Sequence, residues 1–281
     1  MAVFLGIDGG GTGCRAAVAN VSGRVLGVGS GGPANIASDP DGARDSILIA
    51  ATEAADAAGV GLADLRAVLG LAGANVPGFA ARLAAALPFA SARVESDATI
   101  ALKGALRDGD GIVAALGTGS VFAVQRAGVL RQIGGWGLVL GDEASGAWIG
   151  RALLARALRA DDGFVPMTPL LQEVLAGMDG PKGVVSFALA ARPAYFAALA
   201  PRVTGSDDPA AVAVMGMALD EVAAAIDLLQ AGEALPVVFL GGLGGVFAAR
   251  LDGRWPIRAP LGNGLDGALW MARSGGAGVP A

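Results

Sequence analysis

The stretch that decides the fold is VFLGIDGGGTG, residues 3–13. Residues 3–7 form a continuous apolar run, Asp8 ends it, and a glycine-rich turn follows. Two further short runs, residues 15–19 and 24–28, come next and are separated by the turn signal Ser22-Gly23. Short apolar runs joined by such turns predict an antiparallel β-β-β meander.

A helix is predicted after the meander, because Asp39-Pro40 offers an N-cap and a proline at the first helical position. Its alanine-rich pattern runs to about residue 58, where Gly59 ends it. Strands at residues 67–71 and 93–96 then alternate with helices at residues 78–87 and 97–106. This alternation predicts parallel strands joined by crossover helices.

The same order of elements starts again after a polar link at residues 108–111. The predicted elements are strands at 112–116, 121–125 and 129–133, a helix-rich stretch from about 142 to 232, a strand at 237–240, a helix at 245–251, a short strand at 257–258 and a last helix at 266–273. We therefore predict an α/β fold of two domains, residues 1–108 and 109–281, each built on a β-β-β-α-β-α core, with a cleft between them. Residues from about 142 to 232 would be a helical insertion, and the prediction leaves open whether the last helix packs back on the first domain.

Composition excludes several classes of function. The chain has 281 residues, 54% hydrophobic and 16% charged, which is enough apolar material for a globular core. Its net charge is −5 and it has no basic run, so we expect neither nucleic acid nor a membrane as a partner. Since it has no histidine, the general base should be a carboxylate, with Tyr195, Lys103 and Lys182 as weaker candidates. The low charge fraction is compatible with a homodimer.

The expected location is the cytoplasm. The single cysteine, Cys14, cannot form an intrachain disulfide or an iron–sulfur cage, and such usage fits a reducing compartment. The first eight residues lack the basic start of a signal peptide. The longest uncharged stretch, residues 234–249, is shorter than the roughly 18–20 apolar residues that span a bilayer.

The first glycine turn has the composition of a phosphate site. Without Cβ atoms, Gly9, Gly10 and Gly11 would let backbone N–H groups approach phosphate oxygens, and Thr12 would add a hydroxyl. Asp8 would repel phosphate directly, so it should face a cation, most simply Mg²⁺ through a water molecule. The alternative is a tight hairpin with no ligand.

A second loop, Gly117-Thr118-Gly119-Ser120, occupies the equivalent bend of the second half. Two such loops facing one another would hold a polyphosphate from both sides. The lysine-containing P-loop pattern is absent. Gly27-x-Gly29-x-x-Gly32 matches a dinucleotide fingerprint, but no helix is predicted to open there, so we interpret it as a flexible loop.

Taken together, four motifs resemble the bacterial glucosamine and N-acetylglucosamine kinases. These enzymes belong to the BadF/BadG/BcrA/BcrD ATPase group of the actin/sugar-kinase/Hsp70 superfamily. The motifs are the Asp8–Thr12 loop, the Gly117–Ser120 loop, Gly134-Gly135-Trp136-Gly137 with Gly141-Asp142-Glu143, and Gly241-Gly242. The resemblance implies a two-domain actin-like (ribonuclease H-like) ATPase fold and an ATP- and Mg²⁺-dependent kinase acting on the 6-hydroxyl of an amino sugar.

The resemblance also implies roles for individual residues. Both glycine loops, with Thr12 and Thr118, would hold ATP phosphates and Mg²⁺, and Gly241 and Gly242 would lie against adenosine. Asp97 would be the general base. The sugar would be held by Asn35, Ser120, Gly135, Trp136, Gly137 and Asp142. Val121 replaces a polar amide of the animal N-acetylglucosamine kinases, a departure that favours glucosamine slightly.

The residues themselves leave alternatives open. Asp97 lies where a strand meets a helix, a position that faces a ligand crevice in open α/β sheets, but it could instead cap that helix. Asp142 could likewise be a helix cap. Trp136 lies between glycines, so it should be an exposed aromatic plane suited to a sugar ring, whereas Asn35 could be only a turn residue.

Phosphoryl transfer needs alignment, charge neutralisation and a proton acceptor, and the predicted site offers all three. We expect the sugar to drive domain closure around residues 108–111. The main alternative is a regulatory ATPase, although Cys14 alone does not supply the cluster cysteines of the dehydratase activases. An actin-like filament or a sugar-responsive repressor is a weaker alternative.

Overall fold

The computed structural model describes residues 2–75 and 78–275. Its contacts divide the chain into two compact units. The first takes residues 1–109, 127–129 and 259–281, and the second takes residues 110–126 and 130–258. The two predicted domains include residues 1, 76, 77 and 276–281, which lie outside the described residues.

The first unit is a five-stranded mixed sheet with helices on both faces. Its strands lie in the order β3-β2-β1-β4-β5, in which β1 pairs antiparallel with β2 and parallel with β4. Its elements are β1 (Val3–Gly9), β2 (Cys14–Asn20), β3 (Val25–Gly31), α1 (Pro40–Ala58), a 3-10 turn (Leu62–Asp64), β4 (Leu65–Leu71), α2 (Phe79–Ala86), β5 (Ser91–Ser96), α3 (Asp97–Leu106) and α11 (Gly264–Arg273).

The second unit repeats the meander and adds helices. Its sheet has the order β8-β7-β6-β9, with β6 antiparallel to β7 and parallel to β9. The strands are β6 (Gly111–Leu116), β7 (Ser120–Arg126), β8 (Val129–Gly134) and β9 (Val237–Leu240), and the helices are α4 (Gly146–Asp161), α5 (Pro169–Ala176), α6 (Gly180–Ala190), α7 (Pro193–Ala197), α8 (Pro201–Thr204), α9 (Pro209–Gln230) and α10 (Gly244–Arg250). This repetition confirms the predicted α/β fold with a duplicated core.

One predicted strand is reduced to a single pairing. The segment predicted as a strand at residues 257–258 forms only an isolated parallel bridge between Ile257 and Val237. Pro256 precedes it and Pro260 follows closely. Because proline has no N–H to donate to a ladder, a longer strand cannot form there.

Strand β3 corrects another prediction. Gly27 and Gly29 were interpreted as part of a flexible loop, although the meander prediction placed a strand at residues 24–28; both lie in an edge strand whose pairing with β2 has one register shift. A Cβ atom at Gly27 would overlap the carbonyl oxygen of Ala54 in α1, and a Cβ atom at Gly29 would overlap that of Ala50. These glycines therefore let α1 pack directly on the backbone of the strand. No helix opens at them, as predicted, because α1 begins at Pro40.

Helix α11 completes the first unit although it lies far away in sequence. Its buried residues Ala268, Met271 and Ala272 share an apolar cluster with Phe4, Val68 and Ile100. The opposite face of the sheet is covered by α1. Within the described residues, no helix is both long and apolar enough to traverse a lipid bilayer.

Candidate active site

The first glycine loop is the tip of the β1–β2 hairpin. Gly10 N–H donates to Gly13 O at 2.9 Å and Ala34 N–H donates to Gly10 O at 2.8 Å, so the backbone of the turn is fixed from both sides. Gly11 and Thr12 are exposed, and a Cβ atom at Gly10 or Gly11 would meet nothing within 4 Å. The turn therefore has open space in front of its backbone, as a phosphate site requires.

A cavity of about 370 Å³ lies at this turn. Its lining includes Asp8, Gly10, Thr12, Gly13 and Arg15. Arg15 was not predicted from the sequence. Its Nη2 donates to Asp8 Oδ2 at 2.6 Å, and the two residues are register partners across the hairpin. The hairpin register was the signal that could have found it, because residues directly opposite on neighbouring strands have adjacent side chains.

The surroundings of Asp8 fit a Mg²⁺ ion carried by a nucleotide. Asp8 offers a carboxylate beside the phosphate turn, and its side chain is only 23% exposed. Mg²⁺ is usually held by one or two carboxylates together with substrate phosphates and water. The Arg15 side chain is 60% exposed, so it is free to exchange its carboxylate partner for a phosphate oxygen.

Asp97 is the first residue of α3, directly after β5. The helix cap is Ser96, whose Oγ accepts from Thr99 N–H at 3.1 Å, so the capping alternative for Asp97 does not apply. Asp97 Oδ1 accepts from the neighbouring Ala98 N–H at 2.8 Å.

Burial raises the pKa of the Asp97 carboxyl above its usual range, and the nearby Asp8 charge raises it further, while the Ala98 hydrogen bond opposes the shift. The side chain still reaches solvent. A carboxylate that is partly desolvated yet accessible is a better proton acceptor than an ordinary aspartate.

In the second unit, the loop containing Gly117, Thr118 and Gly119 is held by the first turn of α4. Gly117 N–H donates to Gly119 O at 2.9 Å, which closes the turn. Gly146 N–H and Ala147 N–H of α4 donate to the Gly117 and Thr118 carbonyls at 2.8 and 3.2 Å. The Thr118 side chain is exposed.

Gly241 and Gly242 lie beside this loop. Strands β6 and β9 are parallel neighbours, so the loops at their carboxyl ends meet at one edge of the sheet. Leu243 N–H donates to Leu116 O at 3.0 Å, which joins the two loops directly. Both glycines are exposed. The structure thus brings together the residues predicted to hold phosphate and adenosine in this unit.

Asp142 connects three predicted site segments. Its carboxylate accepts from Gly137 N–H at 3.2 Å and from Ser120 N–H, and it lies against Gly119. Burial raises its pKa, these hydrogen bonds oppose the shift, and the neighbouring Glu143 charge adds to it. Asp142 does not cap α4; Ser145 does, since its Oγ accepts from Trp148 N–H at 3.1 Å.

The turn around Asp142 is conformationally unusual. Asp142 and Ala144 both have left-handed backbone angles, with φ of 56° and 63°. Such angles are uncommon for residues other than glycine and cluster at functional sites. Ser120 helps to fix the turn: its side chain is buried and its Oγ donates to Glu143 O at 2.7 Å. The Ser120 hydroxyl proton is therefore already used within the protein.

Trp136 and Asn35 differ in how their side chains are held. Trp136, between Gly135 and Gly137, is 75% exposed, as its glycine neighbours predict. Asn35 Oδ1 accepts from Ala37 and Ser38 N–H at 3.0 and 3.2 Å, so the turn interpretation of Asn35 is confirmed. This use of the oxygen leaves the amide N–H₂ group for a ligand.

Cys14 is buried beside the hairpin, as expected for a small apolar residue. Burial, with a smaller contribution from Asp8, raises the pKa of its thiol to about 12, so it stays protonated and unreactive. The described part of the chain contains no group of three or more carboxylate, cysteine or histidine side chains placed to hold a metal ion.

Known proteins resemble the chain over nearly its whole length. The chain is 29% identical to the glucosamine kinase GspK of Vibrio cholerae over 97% of this chain and 96% of that protein. A crystal structure of a candidate N-acetylglucosamine kinase from Chromobacterium violaceum superposes with a TM-score of 0.85 at 31% identity, covering 97% of this chain and 99% of the other.

A more distant structure shares only the fold. The ROK family glucokinase of Streptomyces griseus, at 19% identity, has a TM-score of 0.59 over 96% of this chain and 98% of the other, which supports an actin-like sugar-kinase fold. The sequence profile of one family matches residues 5–248. With this match over most of its length, the chain belongs to the BadF/BadG/BcrA/BcrD ATPase family.

Proposed function

We propose that the protein is an ATP-dependent amino-sugar kinase that transfers the γ-phosphate to the 6-hydroxyl of glucosamine or N-acetylglucosamine. The near full-length similarity to a glucosamine kinase and to a candidate N-acetylglucosamine kinase supports this substrate class. The observation that carries the proposal is in the first unit, where Asp8 lies at the carboxyl end of β1, Asp97 directly follows β5, and both strands run parallel to β4 between them. Because the carboxyl ends of parallel strands meet at one edge of a sheet, Asp97 would lie at the edge that carries the phosphate hairpin, the turn from Gly9 to Thr12.

The roles of the chain's residues in the transfer follow from this geometry. The hairpin from Gly9 to Thr12 would bind phosphate oxygens through backbone N–H groups, with Arg15 as an added cation. Asp8 would hold Mg²⁺ through water, and a bound Mg²⁺ neutralises charge on the transferred phosphoryl group. Asp97 would accept the proton of the attacking sugar hydroxyl.

Residues of the second unit would complete nucleotide and sugar binding. The turn from Gly117 to Gly119 would contact phosphate, and Gly241 and Gly242 would leave a flat backbone surface for adenosine. Asp142 would accept hydrogen bonds from sugar hydroxyls, and Trp136 would cover the apolar C–H face of the ring. Gly135, Gly137, Ser120 and, from the first unit, Asn35 are proposed as the remaining sugar contacts.

The test is an ADP-release assay with glucosamine, N-acetylglucosamine, glucose and no sugar in parallel, each with and without Mg²⁺. We expect saturable ADP release with at least one amino sugar, dependent on Mg²⁺ and well above the rate without sugar. Equal rates with and without every sugar would favour the regulatory ATPase instead.

A further inference from the structure

A second cavity, with no lining residue in common with the hairpin cavity, lies in the first unit between the sheet and the end of α11. Its volume is about 600 Å³. The lining combines an apolar floor with arginines. The floor is formed by Phe4, Val68 and Met271, and the arginines are Arg66, Arg93 and Arg273.

The strand register explains why two of these arginines, Arg66 and Arg93, are neighbours. Arg66 is the register partner of both Phe4 on β1 and Ser91 on β5, and Arg93 is the partner of Val68. Alternate residues of a strand share one face, so Arg66, Val68 and Arg93 project to the same side of the sheet. Phe4 and Val68 pack against α11, which places that side under α11, whose last residue is Arg273.

The positive charge in this cavity is incompletely compensated. Arg93 Nε lies 3.1 Å from Glu95 Oε1, yet Arg93 Nε and Nη2 are buried without a hydrogen-bond partner in the described structure. Arg273 donates from Nη2 to Val21 O at 3.1 Å, and its buried Nε has no partner there either. Arg66 makes no hydrogen bond or ion pair among the described residues.

Among the described residues that line the cavity are three arginines and no carboxylate, although the net charge of the chain is −5. Buried N–H groups without acceptors are unfavourable. An anion in the cavity would supply such acceptors. Guanidinium groups match the geometry of phosphate oxygens, and the apolar floor suits an attached carbon skeleton.

We propose that this cavity is an anion site, separate from the phosphate hairpin, that takes a small molecule carrying a phosphate group. The proposal uses residues outside the catalytic machinery and does not depend on which substrate the enzyme phosphorylates. A free phosphate ion and a phosphorylated sugar share the recognised chemistry, so both are used as probes.

The test is a titration of the ¹⁵N-labelled full chain, followed through the Nε–H signals of its arginines. Signals are assigned with R93K and R273K variants, and the probes are inorganic phosphate and glucosamine 6-phosphate. We expect saturable shifts of the Arg93 and Arg273 signals with at least one probe. Saturation by phosphate alone would identify the phosphate group as sufficient, whereas a response only to the sugar phosphate would show that the apolar floor contributes.

A matched pair of variants locates the binding. Arg66 is exposed, so R66Q should fold normally and weaken binding by roughly ten-fold through loss of one charge-assisted contact. Arg24→Gln removes an exposed arginine of the same unit that does not line the cavity. The affinity of this variant for the phosphate probe should match that of the wild type. No saturable shift with either probe, or equal affinity in R66Q and wild type, would overturn the proposal. These outcomes are independent of the kinase assay, because binding is measured without ATP.

Discussion

At the residue scale, the proposal depends most on Asp97. Asp97→Asn keeps an oxygen for the Ala98 hydrogen bond but cannot accept the substrate proton. We expect turnover to fall by about 10²–10⁴-fold, with little change in ADP affinity. The measurements are steady-state kinetics and calorimetric titration with ADP. Turnover close to that of the wild type would remove Asp97 from the mechanism.

The pH dependence of the same residue gives a second check. Because the pKa of Asp97 is raised, the acidic limb of the kcat profile should lie at higher pH than an ordinary aspartate would give.

A raised folded-state pKa also means that ionisation of Asp97 disfavours folding, so Asp97→Asn should be more resistant to urea at neutral pH. That gain should vanish below the usual aspartate pKa, where both states are protonated. Equal resistance at neutral pH would contradict the raised pKa of this carboxylate.

Arg15 leads to a prediction that the sequence alone did not make. If Arg15 contacts a nucleotide phosphate, Arg15→Gln should weaken binding of ADP in the absence of Mg²⁺ by roughly ten-fold. Arg24→Gln is the matched control, because Arg24 is also an exposed arginine near β2 but does not line the hairpin cavity. The measurement is ADP titration in the presence of a chelator. Identical affinities in the two variants would assign Arg15 only to the Asp8 ion pair.

Residue types and loops could be predicted from the sequence, but hydrogen-bond partners could not. The glycine turns, Asp97 at a strand-to-helix junction and the exposed Trp136 follow from local pattern. That Ser120 donates to the Glu143 carbonyl, or that Asp142 binds two backbone N–H groups, depends on the path of segments distant in sequence. Local pattern does not specify such contacts.

At the element scale, β3 and α1 show how a glycine pattern can mislead. Spaced glycines are typical both of a flexible loop and of a strand under a close-packed helix, and the structure distinguishes the two. A Cβ atom at Gly29 would overlap the Ala50 carbonyl oxygen, so Gly29→Ala should force β3 and α1 apart. We expect a loss of about 1–3 kcal/mol in the free energy of unfolding, measured by urea denaturation.

Gly216 in α9 provides the control for that substitution. A Cβ atom there would meet nothing within 4 Å, and the residue lies inside a long helix. Gly216→Ala should therefore stabilise the protein by about 0.5–1 kcal/mol. If Gly29→Ala unfolds at the same urea concentration as the wild type, the inference that α1 packs too closely on β3 to admit a side chain at position 29 is wrong.

At the scale of the whole molecule, the chain returns to its first unit after completing the second. Helix α11 covers the face of the first sheet that carries Phe4 and Val68. A fragment of residues 1–109 would expose that apolar face and should not unfold cooperatively. Adding residues 259–275 through a flexible linker should restore a cooperative urea transition, which circular dichroism would measure. A cooperative transition of the fragment alone would show that α11 is dispensable.

The duplicated plan was predictable because each half shows the same order of short strands and helices, whereas the position of α11 was not. Hydrophobic periodicity identifies a helix but does not say which sheet it covers. The helical stretch of the second unit was predicted as a whole, and its prolines mark starts of several helices: Pro169, Pro193, Pro201 and Pro209.

An amino-sugar kinase transfers the ATP phosphate to a sugar hydroxyl and not to water. The most direct measurement is ³¹P NMR of a reaction containing the protein, Mg²⁺-ATP and glucosamine or N-acetylglucosamine. We predict a sugar phosphate monoester signal that grows in step with ADP for at least one of the two sugars. Release of inorganic phosphate in step with ADP, with no sugar phosphate from either sugar, would contradict the proposed kinase activity.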